Sequence, residues 1–204
     1  LADQAEDSVL ATRALLRVAL SLDAAGRTRD VAETYSAIIQ RSGALTAAPE
    51  LNLEVLMRAG NFFLRSRNPA AAERFYRSGV ASAEASQNLL AEAYCGMQLG
   101  HCMLSRSNDE AIRLFRASFE HLRMLGHSRG VAYALLSLGG IAERANSLTD
   151  AAELYRRAVQ EQESCLGTRE ADDLLAECET TALGLRGSDA CATLLTLLLQ
   201  TGKT

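Results

Sequence analysis

Ala72-Glu73-Arg74-Phe75-Tyr76 has three counterparts in this chain: Val31-Ala32-Glu33-Thr34-Tyr35, Ala111-Ile112-Arg113-Leu114-Phe115 and Ala151-Ala152-Glu153-Leu154-Tyr155. Their rings are separated by 41, 39 and 40 residues. In each stretch a small residue, or Val31, stands four places before the ring, so on a helix the two share a face and every unit presents one ring beside one gap. A second periodic feature lies upstream, at Ala19, Gly60, Gly100 and Gly139. Glycine inside a helix costs about 1 kcal/mol relative to alanine, so glycines in register need a packing reason. Apolar periodicity continues past them through Phe62-Phe63-Leu64, Met103-Leu104 and Ile141-Ala142. They are therefore expected where one helix crosses another too closely for a side chain. A period near 40 residues with helical patterning marks a stack of two-helix units. The register also predicts a degenerate fifth unit at Cys191-Ala192-Thr193-Leu194-Leu195, with Leu195 in the ring position.

These positions resemble the tetratricopeptide repeat family, whose first helix carries Leu-Gly and whose second carries Ala-x-x-x-Phe. Leu99-Gly100 and Leu138-Gly139 match the first element; Ala72/Tyr76, Ala111/Phe115 and Ala151/Tyr155 match the second. The family's early tryptophan is replaced by Leu15, Leu56, Gly96 and Leu135, and its closing proline is absent, Pro49 and Pro69 being the only prolines. Units of about 40 residues are similar to those of kinesin light chains, Pins-type adaptors and some bacterial response-regulator-binding proteins. The resemblance implies an all-α, right-handed solenoid of antiparallel helix hairpins. It would span 1–204 as a single domain of five repeats, 9–42, 50–86, 89–125, 129–165 and 170–201. It further implies a non-enzymatic, cytoplasmic adaptor, with a cytoskeletal association as one setting.

The register predicts first helices near 9–25, 50–66, 89–105, 129–145 and 170–185, and second helices near 29–42, 69–86, 109–125, 149–165 and 189–201. Thr28, Asn68, Asn108, Ser147 and Ser188 precede the second helices and are residue types that cap free N–H groups. Hydrophobic residues form 48% of the chain, which suits a helical array. The net charge of -4, with acidic residues outnumbering basic ones 25 to 21, weighs against nucleic acid as a partner. Arginine pairs on the second helices, Arg74/Arg77, Arg113/Arg116 and Arg156/Arg157, are expected to be solvated outer-face residues. Five cysteines without a framework spacing suggest reduced thiols and an intracellular setting. The chain opens on Leu1 with no signal-like segment, consistent with a domain excised from a longer protein. The apolar stretch Leu194 to Leu199 is too short to cross a membrane and is expected to pack as a final helix.

Function is then expected on the inner surface, which first helices line in this family. Residues six and three before the small position, and one, four and five after it, would face that groove. This gives Arg13 with Leu16, Leu20 and Asp23 in the first unit; Glu54, Met57, Asn61, Leu64 and Arg65 in the second; Tyr94, Met97, His101 and Leu104 in the third; and Tyr133, Leu136, Gly140, Glu143 and Arg144 in the fourth. Asn61 and Arg65 are one turn apart, so the amide is placed to hold a peptide backbone while the guanidinium takes a carboxylate. The competing expectation is that Arg65 pairs with a neighbouring acid such as Glu54. Tyr94, Met97 and Tyr133 suggest an apolar pocket, with burial between first helices the alternative for Met97. Leu16 and Leu20 stand where chaperone-tail-binding members keep a basic and asparagine clamp, so that clamp is absent. His101, His121 and His127 have no metal-ligand spacing, and no phosphate loop or nucleophile motif appears, so no cofactor is expected. The expected partner is a peptide or helical segment of another protein, and the alternative is a structural or oligomerising segment acting through the last helix.

Overall fold

The computed structural model describes residues 2–41, 45–46 and 48–163. The fifth repeat, its cap Ser188 and the apolar stretch Leu194 to Leu199 lie outside the described residues. Eight helices form the described part: α1 (Ala2–Ala24), α2 (Thr28–Ile39), α3 (Pro49–Arg65), α4 (Pro69–Ala85), α5 (Leu89–Met103), α6 (Asn108–Met124), α7 (Ser128–Arg144) and α8 (Leu148–Glu163). The chain is all-α, with no strand among the described residues.

Helices α3, α4, α6 and α7 are each 17 residues long. The connections that separate them from the next helix cover 66–68, 86–88, 125–127 and 145–147. Seventeen helical residues and three connecting ones, taken twice, give the period of about 40. The longer unit relative to a 34-residue repeat therefore comes from longer helices, with nothing to stop them early where the closing proline is missing.

All of these connections, and the one at 25–27, use a single device. One residue adopts a left-handed conformation: Gly26 (φ 72), Arg67 (φ 57), Gln87 (φ 53), Gly126 (φ 65) or Asn146 (φ 59). The next residue sends its N–H five residues back, as in Arg27 to Leu22, Asn68 to Phe63, Asn88 to Ala83, His127 to Leu122 and Ser147 to Ala142, each at 2.9 Å. This Schellman closure satisfies carbonyls that the helix end leaves free, and its last residue doubles as the N-cap of the following helix. Asn68 and Asn88 each accept from the N–H three residues on, at 3.1 and 3.0 Å, and the His127 Nδ1 does the same for Gly130 at 3.1 Å.

Two expected caps are corrected by this geometry. Thr28 is already helical and Arg27 holds the cap position without a side-chain bond, because the closure on Gly26 fixes where α2 begins. Asn108 is likewise the first helical residue, and Ser107 is the cap, accepting from the Glu110 N–H at 3.2 Å. Here α5 stops at Met103 and the connection 104–107 carries no left-handed residue, which moves the start by one. Helix α1 also begins seven residues before the expected position 9. Residues 2–8 have no apolar period to announce a helix, yet Ala2, Gln4, Ala5 and Glu6 are good helix formers.

The described residues divide into two compact units, the boundary falling between Ser105 and Arg106. In the first, Leu16, Ala19, Val31, Tyr35, Ile38, Leu51, Val55, Ala59 and Phe62 form one buried cluster joining α1, α2 and α3. Rings extend it: Tyr35 to Phe62 at 5.8 Å, Phe62 edge-on to Phe63 at 5.1 Å, and Phe63 stacked on Phe75 at 5.3 Å. Full burial of one such side chain contributes about 1.5–3 kcal/mol. The second unit buries Ala111, Phe115, Leu122, Val131, Ala132, Ala134, Leu135, Ile141, Ala151 and Ala158.

Candidate peptide-binding face of the first helices

At Gly60 and Gly139 the gap is filled by a ring of the same hairpin. A Cβ added to Gly60 would lie 2.5 Å from Tyr76 Cε1, and one on Gly139 would run into the ring of Tyr155. Each ring crosses the glycine and delivers its hydroxyl to the far side of the first helix. There the Tyr76 hydroxyl donates to Asn61 Oδ1 at 2.6 Å, and the Tyr155 hydroxyl donates to Glu143 Oε2 at 2.9 Å. Asn61 follows the glycine by one residue and Glu143 by four, so two groove positions named from the sequence are hydrogen-bonded to the hairpin's own core ring.

In the first unit, α1 meets α3 and α3 meets α5, which sets the first helices side by side. Arg65 of α3 pairs with Asp23 of α1, bridging two hairpins. Glu54 is engaged one turn away, its Oε1 accepting from Arg58 Nε at 2.8 Å. The neighbouring acid of Arg65 is thus Asp23 and not Glu54, because Glu54 is committed to Arg58 on its own helix. Arg58 escaped the sequence reading, although the Glu-to-Arg spacing of four residues was its signal.

Burial pushes the Tyr35 hydroxyl up to about 12, and the Asp23 carboxylate reinforces the shift while Arg58 and Arg65 oppose it. Asp23, Glu54, Arg58 and Arg65 are therefore the charged side chains that act on the Tyr35 hydroxyl. Arg65 and Arg58 stay 61% and 44% exposed, so both guanidiniums keep donors available to a guest despite their internal partners. Exposed pairs of this kind are worth at most about 1 kcal/mol, which makes them exchangeable.

The remaining expected residues fall into three groups. Arg13 is exposed on α1, and Met57, Tyr94 and His101 are half-buried on α3 and α5. In the second unit Tyr133 and Glu143 are half-buried and Arg144 is exposed, all on α7. Leu16, expected on the groove, is 4% exposed and is a core residue; Met97, at 0% exposed, is buried, which is the second of the two readings given for it. Each stands three before the small position, where the first helix has already turned toward its neighbours. Cys95 and Cys102 are buried free thiols, pushed up to about 12 and about 11 by burial alone. Such thiols are protonated and inert at neutral pH. Among the described residues no group of histidine, cysteine and carboxylate side chains could hold a metal ion, and no helix is long and apolar enough to cross a membrane.

Two of the outer arginines, Arg77 and Arg156, and Arg123 beside them pair with acids on their own helices. Arg77 meets Glu73, Arg123 meets Glu120 and Arg156 meets Glu153, at 3.0, 2.9 and 2.7 Å. The positive charge of the expected stripe is thereby offset at Arg77 and Arg156.

No protein-family model matches the chain, and no curated protein matches it. Solved structures do. The crystal structure of BtubC (BKLC) from P. vanneervenii superposes with a TM-score of 0.68 over 78% of this chain, at 17% identity. The apo form of RapI superposes with a TM-score of 0.72 over 93%, at 13% identity. This chain spans 65% of the length of the first and 68% of the second.

Proposed function

We propose that this chain, whose fold is that of the tetratricopeptide-like helical repeats, is a non-enzymatic scaffold. In this reading it holds an extended or helical segment of a partner protein on the face built by α1, α3 and α5. The observation that carries the proposal is the exposed charged group at Asp23, Glu54, Arg58 and Arg65, assembled from two hairpins over one core ring. A scaffold needs a rigid support under adaptable surface groups. The buried aromatic cluster provides the support, and weakly held ion pairs provide groups that a guest carboxylate or backbone carbonyl can recruit. Asn61 contributes through its Nδ2 donors, since its oxygen is taken by Tyr76.

The setting proposed is cytoplasmic, in keeping with buried reduced thiols, and the partner proposed is a protein, not a nucleic acid or a membrane. The test is capture from native lysate by the full chain and by an Arg58→Ala/Arg65→Ala variant. Both arginines are exposed, so the variant should keep the parent's helix content and melting profile. The expected result is loss of the proteins that the parent captures. Equal capture by parent and variant would refute the assignment of this face.

A further inference from the structure

Three of the closures between helices end on a side chain that caps the next helix from the same place. Asn68 (φ -115, ψ 71), Asn88 (φ -90, ψ 81) and His127 (φ -89, ψ 74) share one backbone conformation, and each accepts from the N–H three residues on. An amide oxygen accepts at any pH. An imidazole nitrogen accepts only while it carries no proton, so His127 Nδ1 does the work of the asparagine oxygen only in the uncharged ring with its hydrogen on Nε2. The ring is held closely. It is half-buried, and a Cβ added to Gly130 would stand 3.0 Å from its Nδ1 and 2.7 Å from Cδ2 of buried Leu122. The Leu122 carbonyl also accepts the His127 N–H at 2.9 Å, so the end of α6, the turn and the start of α7 meet at this residue.

We propose that the α6–α7 connection is a pH-sensitive joint, closed while His127 is uncharged and loosened when it takes up a proton, whereas the two asparagine-capped connections keep their hold. A second ring proton would sit on Nδ1 and point at the Gly130 N–H, donor against donor. It would also bring a positive charge to a helix N-terminus, where the helix dipole disfavours cations. The charged neighbours do not reverse this. His121 and Arg123 stand in the last turn of α6, and Arg123 is held by Glu120. Arg129 lies in the first turn of α7, and the antiparallel packing of α7 and α8 brings Glu161 to the same end. Arg129 and Glu161 act on a charge there in opposite senses, which leaves the lost acceptor and the helix end to set the sign. The cap's contribution is therefore present above the range in which an imidazole ordinarily titrates, near about pH 6.5, and is lost as the pH falls through it.

The test is chemical denaturation of the full chain and of His127→Asn at about pH 8 and about pH 5.5, either side of the histidine range. Asparagine fits the position, because Asn88 holds nearly the same dihedral angles. On acidification the unfolding constant of the parent should rise about five-fold more than that of the variant, the loss expected of a cap of ordinary strength. His101 and His121 remain in both proteins and cancel. A second readout needs no variant. Hydrogen exchange at the Gly130 amide, taken as a ratio to that at Ala91, the equivalent amide under Asn88, should quicken on acidification, the ratio removing the intrinsic effect of pH. Equal pH dependence in parent and variant, or a ratio of Gly130 to Ala91 exchange that stays constant, would overturn the proposal.

Discussion

Hairpins α3–α4 and α7–α8 pack in the same way and differ in one polar group. In both, a tyrosine ring occupies the space above a glycine and passes its hydroxyl to the face of the first helix. In the first the acceptor is a neutral amide, Asn61; in the second it is a carboxylate, Glu143. The difference shows that the glycine and the ring set the hairpin's spacing, while the acceptor is a surface choice the spacing permits. The polar group beside the ring thus differs between these two hairpins without disturbing the support beneath it.

The comparison is broken most severely by removing the rings. Tyr76→Ala should cost about 3–5 kcal/mol, because the ring is 1% exposed and its loss leaves both a cavity and an uncovered Gly60. Tyr155→Ala should cost less, since Tyr155 is half-buried. Chemical denaturation of the two variants measures the difference; equal losses would show that burial does not separate the hairpins.

Alkaline pH should act on the first unit. Tyr35 rises from 10.0 to about 12, Cys95 from 9.0 to about 12 and Cys102 from 9.0 to about 11, burial being the leading cause in each. Each group binds its proton more tightly when folded. The stability they hold is complete below pH 9 and is lost as pH climbs through 9 to 12. Denaturation midpoints recorded from pH 8 upward should fall across that window, and Tyr35→Phe/Cys95→Ala should flatten the fall. An undiminished slope in the variant would contradict the burial of these groups.

The polar difference itself is the smallest effect. Tyr76→Phe removes a neutral hydrogen bond and should cost about 0.5–1.5 kcal/mol; Tyr155→Phe removes one to a charged acceptor and should cost about 1 kcal/mol more. Urea midpoints of both variants decide it, and equal costs would make the acceptor's charge irrelevant.

The period, the hairpins and the glycine-ring pairing were legible because they repeat: four rings and four small residues in register leave few alternatives to a helix hairpin. Helix starts were less legible, since Thr28 and Asn108 are sound capping residues and only the backbone closure before each helix decides which residue caps it. For the candidate site the sequence reported the helix on which each residue lies and not what that residue touches. Asn61, Glu143 and Arg65 were placed on the right helices, but their present partners lie 15, 12 and 42 residues away in sequence. No local pattern reports a hydroxyl arriving from a facing helix or an acid from the previous hairpin. Leu16 falls in the core, and Met97 takes the buried one of its two readings, because a position three before the small residue lies on the boundary between exposed face and core, which periodicity does not resolve.

The central claim is that Tyr76 and Tyr155 fill the space that Gly60 and Gly139 leave, and a double-mutant cycle on Gly60 and Tyr76 tests it most directly. Gly60→Ala should destabilise the parent by about 1–3 kcal/mol through overfilling. In a Tyr76→Leu background, with no ring to displace, the same alanine should be close to neutral, leaving a coupling of at least about 1 kcal/mol. An equal cost of Gly60→Ala in both backgrounds would mean that the ring does not occupy the glycine's place.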